Sequence, residues 1–177
     1  MAEVALRKWR EEDAAFVCEA CQDPEIQRWM PLIPRPYEME HALGFVRGEI
    51  DGSHQFAVEV DGRPVGSVGL KLGDSDVGEA GYWCAPGVRG GGFITRALEL
   101  LCSYGFHELG LARIQLRTDP DNLPSQRVAE KAGFQREGVL RSSIRHPDGR
   151  RRDMVMWSLL PKDPAVRSRS DDSTPRG

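Results

Sequence analysis

The sequence predicts an α+β domain with a mixed, mostly antiparallel central sheet of about seven strands, flanked by about four helices. Three segments between residues 55 and 84 alternate apolar and polar side chains around an Asp61-Gly62 turn, as in an antiparallel meander. Residues 94–109 instead place apolar side chains at i, i+3, i+4 and i+7, the pattern of an amphipathic helix. A chain of 177 residues fits one core of ordinary size.

The N-terminal part begins with a strand and a helix. Val4–Trp9 is predicted to be a short strand, and Glu11–Cys21 a helix, because apolar residues recur there at helical spacing after an acidic first turn. Asp23–Tyr37 contains four prolines and is predicted to be an irregular, partly apolar connection. A further helix is expected over roughly Glu38–Ile50.

The remaining elements follow from alternation, turns and helix stops. The predicted strands are Gln55–Val60, Arg63–Leu72, Val77–Cys84, Arg113–Thr118, a strand from Phe134, and Asp153–Leu160 after the Pro147-Asp148-Gly149 turn. A helix over about Pro124–Ala132 ends at Gly133. Beyond residue 160, Ser, Asp, Arg and Pro replace every periodic signal, so we expect one domain at 1–160 and a flexible tail at 161–177.

Composition argues against several classes of function. Lys and Arg number 24 against 27 Asp and Glu, a net charge of −3, which lacks the basic excess of a protein that binds nucleic acid or anionic lipid. Residues 1–13 carry charges where a secretory signal needs an apolar stretch. The four cysteines are too few and too scattered for a disulfide framework. We therefore expect a cytoplasmic protein with no nucleic-acid or membrane partner.

A glycine-rich loop joins a predicted strand to the most regular helix. Across Val88–Thr95, three consecutive glycines allow close approach of the backbone, so N–H groups and the positive helix end can converge on a phosphate. A P-loop would need a Lys after its last glycine, and a Rossmann loop a third glycine where Thr95 stands, so both fit poorly. The alternative is a flexible glycine turn with no ligand.

Several motifs in this region resemble those of one family. The runs Gly78–Trp83 and Arg89-Gly90-Gly91-Gly92-Phe93-Ile94 look like the coenzyme A motif of the GNAT acetyltransferases, [QR]-x-x-G-x-[GA], and within them are similar to the Rim-type ribosomal-protein N-terminal acetyltransferases. The resemblance continues through Asp119–Ser125 and Val128–Phe134 and covers nearly all of residues 4–160. It departs at Ile94, where the motif has Gly or Ala, and at Ala129, where many relatives carry a Tyr that protonates the thiolate.

The resemblance implies a GNAT fold and an N-acetyltransferase that uses acetyl-CoA and no metal. It implies direct attack of a primary amine, from a protein N-terminus or a small molecule, on the thioester within a ternary complex. Backbone N–H groups near Trp83 and Cys84 would hold the thioester carbonyl, and Asn122 would bond the pantetheine arm. The implied cofactor-binding residues are Trp83, Cys84, Arg89, Gly90, Gly91, Gly92, Phe93, Ile94, Thr95 and Asn122.

Acyl transfer needs a neutral amine and a proton for the departing thiolate. Glu79 is the predicted acceptor of the amine's proton, directly or through water, and the alternative is a solvated strand glutamate. By resemblance, Ser125 lies near the sulfur as the acid, whereas its place near a helix start also favours a capping role. Cys84 as an acylated nucleophile is a further alternative, with no histidine placed near it in sequence.

The acceptor side is the least constrained part of the sequence. Trp29, Met30, Tyr37 and Tyr82 are the predicted substrate-binding residues, since a long, apolar, proline-rich connection is typical of a binding wall. Three alternatives remain open: an acyl-CoA sensor without turnover, suggested by the missing Tyr; an enzyme that modifies antibiotics or polyamines; and a donor such as succinyl-CoA. The Cys18-x-x-Cys21 pair lacks partners at zinc spacing, and a homodimer is a further expectation.

Overall fold

Seven strands form one sheet in the computed structural model, which describes residues 2–49 and 53–166. The strands are β1 (Val4–Arg7), β2 (Ser53–Val60), β3 (Arg63–Leu72), β4 (Val77–Cys84), β5 (Arg113–Thr118), β6 (Gln135–Arg145) and β7 (Arg151–Leu159). Their order is β1-β2-β3-β4-β5-β7-β6, and of these pairs only β4 and β5 run parallel. The predicted α+β class and mostly antiparallel sheet are confirmed.

Five α-helices between residues 14 and 131 flank the sheet. They are α1 (Ala14–Ala20), α2 (Pro24–Trp29), α3 (Met39–Val46), α4 (Phe93–His107) and α5 (Leu123–Lys131), with 3-10 turns at Glu11–Asp13 and Pro86–Val88. The helix predicted to reach residue 50 ends at Val46, and residue 50 itself lies outside the described residues. Within 2–49 and 53–166, no helix is long and apolar enough to span a bilayer.

The prediction of an irregular connection over residues 23–37 is wrong at its start, where α2 forms. The Asp23 carboxylate accepts a hydrogen bond of 3.0 Å from the Ile26 N–H, and Pro24 occupies the first helical turn. A capping Asp followed directly by Pro is a helix-start signal that the sequence already carried.

The two faces of the sheet have separate cores. Helices α4 and α5 pack on one face, with side chains such as Leu98, Leu101 and Ala129 fully buried. Residues of α1, α2 and α3 form the second core. Neighbouring residues of a strand point to opposite faces, so Tyr82 packs against the first core and Trp83 against the second. Strand β4 therefore contributes side chains to both faces.

Strands β4 and β5 pair only at their beginnings, over Val77–Glu79 and Arg113–Gln115. Beyond Glu79, β4 continues to Cys84 beside β3 alone. The Ala85 N–H donates to Val65 on the β3 side at 2.9 Å. Because successive N–H groups alternate in direction, the Cys84 N–H points the other way, into the gap that opens beside β4. This gap positions the site.

The packed domain extends past the predicted boundary at residue 160. Asp163 is buried and accepts a hydrogen bond of 2.9 Å from the Leu160 N–H, and Val166 packs on the first core. Residues 161–166, expected to begin a flexible tail, thus pack on the domain. The rest of the predicted tail, 167–177, lies outside the described residues.

Candidate active site

The glycine loop bends sharply into the N-terminus of α4. Gly90 and Gly92 adopt φ values of +83° and +77°, a left-handed conformation that favours glycine. Gly92 is the N-cap of α4, and no side chain in the described part of the chain caps this helix. The first helical hydrogen bond runs from the Arg96 N–H to the Gly92 carbonyl at 3.1 Å. The N–H groups of residues 93–95 therefore point out of the helix and can bind an anion.

A cavity of about 390 Å³ adjoins this helix end, and we call it the larger cavity. Its lining includes nine of the ten predicted cofactor residues, namely Trp83, Cys84, Arg89, Gly90, Gly92, Phe93, Ile94, Thr95 and Asn122. Gly91 is the exception and does not line it; a Cβ at this position would stand 2.6 Å from a ring carbon of Phe93.

Two cationic residues line the larger cavity in addition to the predicted ones. Arg127 and Lys131 project from α5 into the lining, joining Arg89, and Glu25 is the single carboxylate among these lining residues. Their spacing of four residues puts both on one face of α5, which was the available signal. The excess positive charge suits a ligand that carries phosphates.

Arg89 is already engaged within the protein. Its guanidinium pairs with Asp23, the residue that caps α2, and donates at 3.3 Å to the carbonyl of Cys84. Arg89, one of the implied cofactor-binding residues, thus lines the larger cavity while it is ion-paired within the protein. Arg89 ties the glycine loop to the start of α2 and to the end of β4.

The departure at Ile94 leaves the loop undisturbed. The Ile94 side chain is buried in the first core, and its Cδ1 lies 3.1 Å from where a Cβ on Gly66 would stand. Because Gly66 on β3 has no side chain, the core accommodates isoleucine where the motif has Gly or Ala. The added volume of Ile94 is directed into the core, away from the loop.

The Cys84 thiol is poorly suited to nucleophilic attack. Burial raises the pKa of Cys84 to about 11, although the charge of Arg89 opposes this shift. A thiol with so high a pKa is protonated near neutral pH, and the thiolate is the reactive form. The geometry does not favour the alternative of an acylated Cys84.

The hydroxyl groups of Tyr82 and Ser125 face each other across the gap. Tyr82 Oη lies 2.8 Å from Ser125 Oγ and donates to the Ser125 carbonyl at 3.0 Å. Burial raises the pKa of Tyr82 to about 12, and the hydrogen bond with Ser125 opposes part of this rise. The phenol therefore keeps its proton near neutral pH and can donate it.

Asn122, rather than Ser125, caps α5. The Asn122 side chain accepts a hydrogen bond of 3.1 Å from the backbone N–H of Ser125. Capping uses only the main chain of Ser125, so its hydroxyl is left for the contact with Tyr82. The side chain that caps α5 is therefore that of Asn122, and the Ser125 hydroxyl is not needed for capping.

Replacing Asn122 is expected to destabilise the fold through this cap. Loss of an N-cap side chain costs about 0.5–2 kcal/mol, so Asn122→Ala should lower the Tm by several degrees in a thermal melt. Asn122→Asp keeps an oxygen that accepts the same hydrogen bond and serves as the matched control. Equal Tm values for Asn122→Ala and the wild type would contradict the capping assignment.

A second cavity of about 270 Å³, the smaller cavity, opens beyond the gap. It shares Trp29, Met30, Tyr82, Asn122 and Ser125 with the larger cavity. The two cavities therefore meet at these side chains. A ligand in one can reach a ligand in the other beside the hydroxyls of Tyr82 and Ser125.

Glu79 lies on the wall of the smaller cavity, next to several charged groups. Its Oε1 accepts two hydrogen bonds from Arg117, at 3.0 and 2.6 Å, while Oε2 receives only a long contact of 3.4 Å from Gln115. Glu79 is thus ion-paired with Arg117 on the cavity wall, with its side chain 32% exposed, and its role as the proton acceptor stays a prediction. Oε2 is the less occupied of its two oxygens.

Tyr37, predicted to bind substrate, lies elsewhere. It is 6% exposed, belongs to the second core and lines neither cavity. Its ring packs against His41 of α3, with 5.5 Å between centroids. Helix α2 and the turns after it fold the apolar connection back on itself, so that Trp29 and Met30 line the cavities and Tyr37 is buried.

Trp83 contributes to the site mainly as a support. Its indole is 7% exposed and stacks on Trp9 and Phe16, with centroids 6.2 and 5.9 Å away. These contacts fix the end of β4 next to the gap. Across residues 2–49 and 53–166, no group of three or more His, Cys, Asp or Glu side chains could hold a metal ion.

Comparison with known proteins agrees with this geometry. The family model for the acetyltransferase (GNAT) domain matches residues 3–135. The uncharacterized N-acetyltransferase p20 of Bacillus licheniformis is 32% identical over 170 residues, covering 90% of this chain and 94% of that protein. The spermidine N(1)-acetyltransferase of Escherichia coli K12 is 29% identical over 142 residues, covering 77% and 75%.

A solved structure shows the same fold with a bound ligand. Mycobacterium smegmatis RimJ, in complex with CoA-disulfide, superposes with a TM-score of 0.79 at 28% identity, covering 96% of this chain and 89% of that one. A coenzyme A compound is thus bound by a protein of the same fold and related sequence. The open gap and the glycine loop agree with these matches. The chain belongs to the GNAT acetyltransferase family and is an acyl-CoA-dependent N-acyltransferase.

Proposed function

We propose that this protein transfers an acetyl group from acetyl-CoA to a primary amine, by direct attack within a ternary complex. The observation that carries the proposal is the meeting of two cavities at Tyr82 and Ser125. Such an arrangement lets donor and acceptor enter through different cavities and react without a covalent enzyme intermediate. The high pKa of Cys84 supports the same route.

Acetyl-CoA would occupy the larger cavity. The free N–H groups at the start of α4 would bind its pyrophosphate, assisted by Arg127 and Lys131. The pantetheine arm would pass Asn122 along β4, and the Cys84 N–H, which points into the gap, would bond the thioester carbonyl. This N–H would bond more strongly as negative charge develops on that oxygen.

The chemical step needs three proton movements. The ammonium of the acceptor first gives a proton to Glu79 Oε2, directly or through water. The neutral amine nitrogen then attacks the thioester carbonyl carbon, the carbon–sulfur bond breaks with its electron pair on sulfur, and the nitrogen releases its second proton to solvent. Ser125 Oγ gives a proton to the thiolate and recovers one from Tyr82, which regains its own from solvent.

The Ser125–Tyr82 pair also bears on the alternative of a sensor without turnover. That alternative arises because Ala129 stands where many relatives have an acidic Tyr, and Ala129 is fully buried. A hydroxyl pair 2.8 Å apart at the meeting point of the cavities supplies a donor from other positions. The site therefore has the groups that turnover requires.

The test is product formation. The protein is incubated with acetyl-CoA and a panel of amines that includes a peptide N-terminus, spermidine and an aminoglycoside, and products are identified by mass spectrometry. An acetylated amine together with free CoA supports the proposal. Tight binding of acetyl-CoA with no acylated product from any amine would favour the sensor, and faster reaction with succinyl-CoA would reassign the donor.

The cellular compartment, the oligomeric state and the acceptor stay predictions. We propose that the protein is located in the cytoplasm. Free thiols are typical of a reducing compartment, and the free cysteines among the described residues are Cys18, Cys21, Cys84 and Cys102. We also keep the expectation of a homodimer, for which sedimentation analysis is the measurement. The proposed acceptor is a protein N-terminal amine or a small-molecule amine.

A further inference from the structure

The smaller cavity has an unusual balance of charge for a site that takes an amine. Among the described residues that line it, Arg28, Arg117 and Arg152 carry guanidinium groups, against two carboxylates, Glu79 and Asp119. One positive charge is in excess, and His146 adds another when protonated. Arg28 also pairs at 3.8 Å with Glu25, which does not line this cavity, so the cavity offers a polyamine no excess of carboxylates.

The three guanidinium groups differ in how far they are engaged. Arg117 places both Nε and Nη2 on Glu79, at 3.0 and 2.6 Å. Arg28 stacks over the Trp29 ring, 4.4 Å from its centroid, and its side chain is 58% exposed at the rim. Neither is as available inside the cavity as Arg152.

Arg152 makes one long contact, from Nη1 to Asp119 Oδ2 at 3.5 Å. Asp119 has another partner, since its Oδ1 accepts a hydrogen bond of 2.9 Å from the Asp121 N–H. The side chain of Arg152 is 41% exposed, and Ile144 and Met154 provide apolar wall beside it. A guanidinium so weakly paired keeps donors for a planar anion.

We infer that the acceptor is a primary amine that also carries an anionic group, a carboxylate or phosphate, close to the amine, and that Arg152 binds this group. The inference rests on the proposed acetyl transfer and narrows its acceptor. Binding the anion at Arg152 would hold the amine toward Ser125 and Tyr82, which line the same cavity. The anion could belong to a free amino acid or to an acidic residue beside a peptide N-terminus.

The test compares acceptors that differ only in charge. Initial rates are measured with ω-amino carboxylates of two to six carbons, with n-alkylamines of matched length, and with spermidine. A second arm uses a peptide whose N-terminal residue is followed by aspartate and the same peptide with asparagine. We expect kcat/KM at least tenfold higher for the anionic member of the matched pairs in one arm, and that arm identifies the source of the anion.

Variants connect this preference to Arg152. Arg152→Gln should raise KM tenfold or more for the anionic acceptors, leaving the KM of uncharged amines and of acetyl-CoA unchanged. Arg152→Lys should retain part of the preference. Arg150→Gln, on the same hairpin but outside both cavities, is the matched control. A purely structural role through Asp119 would instead raise KM for all acceptors alike.

The outcomes separate this inference from the proposed function. Efficient acetylation of spermidine or of uncharged amines, with no advantage for anionic ones, would overturn the inference and leave the acetyltransferase proposal standing. Equal KM changes for all acceptors in Arg152→Gln would also overturn it. No acetylation of any amine by protein that binds acetyl-CoA would overturn the proposed function itself.

Discussion

Ser125→Ala is expected to lower kcat by roughly 100-fold with little change in the KM for acetyl-CoA, because it removes the hydroxyl that protonates the thiolate. The Tm should stay close to that of the wild type. The cap on α5 is the Asn122 side chain bonded to the backbone N–H of Ser125, and alanine retains that N–H. Steady-state kinetics and a thermal melt on the same preparation measure both quantities.

Two further variants sharpen this test. Ser125→Thr keeps a hydroxyl and should recover part of the activity, whereas Tyr82→Phe removes the phenol that bonds Ser125 Oγ at 2.8 Å and should lower kcat as well. Since the pKa of Tyr82 is about 12, its loss should lower the rate across neutral pH and not introduce a new titration there. Full activity in Ser125→Ala would leave water or the amine as the source of the proton.

Gly92→Asp is expected to weaken acetyl-CoA binding by more than tenfold, a loss of over about 1.4 kcal/mol. The substitution places a carboxylate at the N-terminus of α4, where it competes with pyrophosphate for the N–H groups of residues 93–95. A φ of +77° adds backbone strain for any residue other than glycine. Isothermal titration calorimetry with acetyl-CoA gives the affinity directly.

The matched control for this variant is Gly87→Asp. Gly87 lies on the same connection and lines neither cavity, and a Cβ at this position would have open space for 4 Å around it. The control introduces the same charge without blocking the helix end, so affinity should fall far less. Unchanged affinity in a folded Gly92→Asp protein would contradict the placement of pyrophosphate at α4.

Local patterns in the sequence determined most of the fold and half of the site. Strands β3, β4 and β5 begin and end at the predicted residues, because alternation and turn residues act over a few neighbours. The glycine loop was recognisable for the same reason: positive φ values require glycine at fixed positions before a helix. Such features are determined by residues within about ten positions of one another, so they can be predicted from the sequence.

Contacts between distant segments had to come from the tertiary structure. Tyr82 and Ser125 stand 43 positions apart, and the folded chain alone brings the hydroxyl of Tyr82, on the part of β4 beyond its pairing with β5, within 2.8 Å of Ser125 Oγ on α5. The burial of Tyr37 likewise depends on how α1 and α3 close over it. Arg152 reaches the acceptor side because β7 inserts next to β5, a sheet order that no local pattern encodes. Pairing and packing across such separations depend on the free energy of the whole fold, which decides the partners of each side chain.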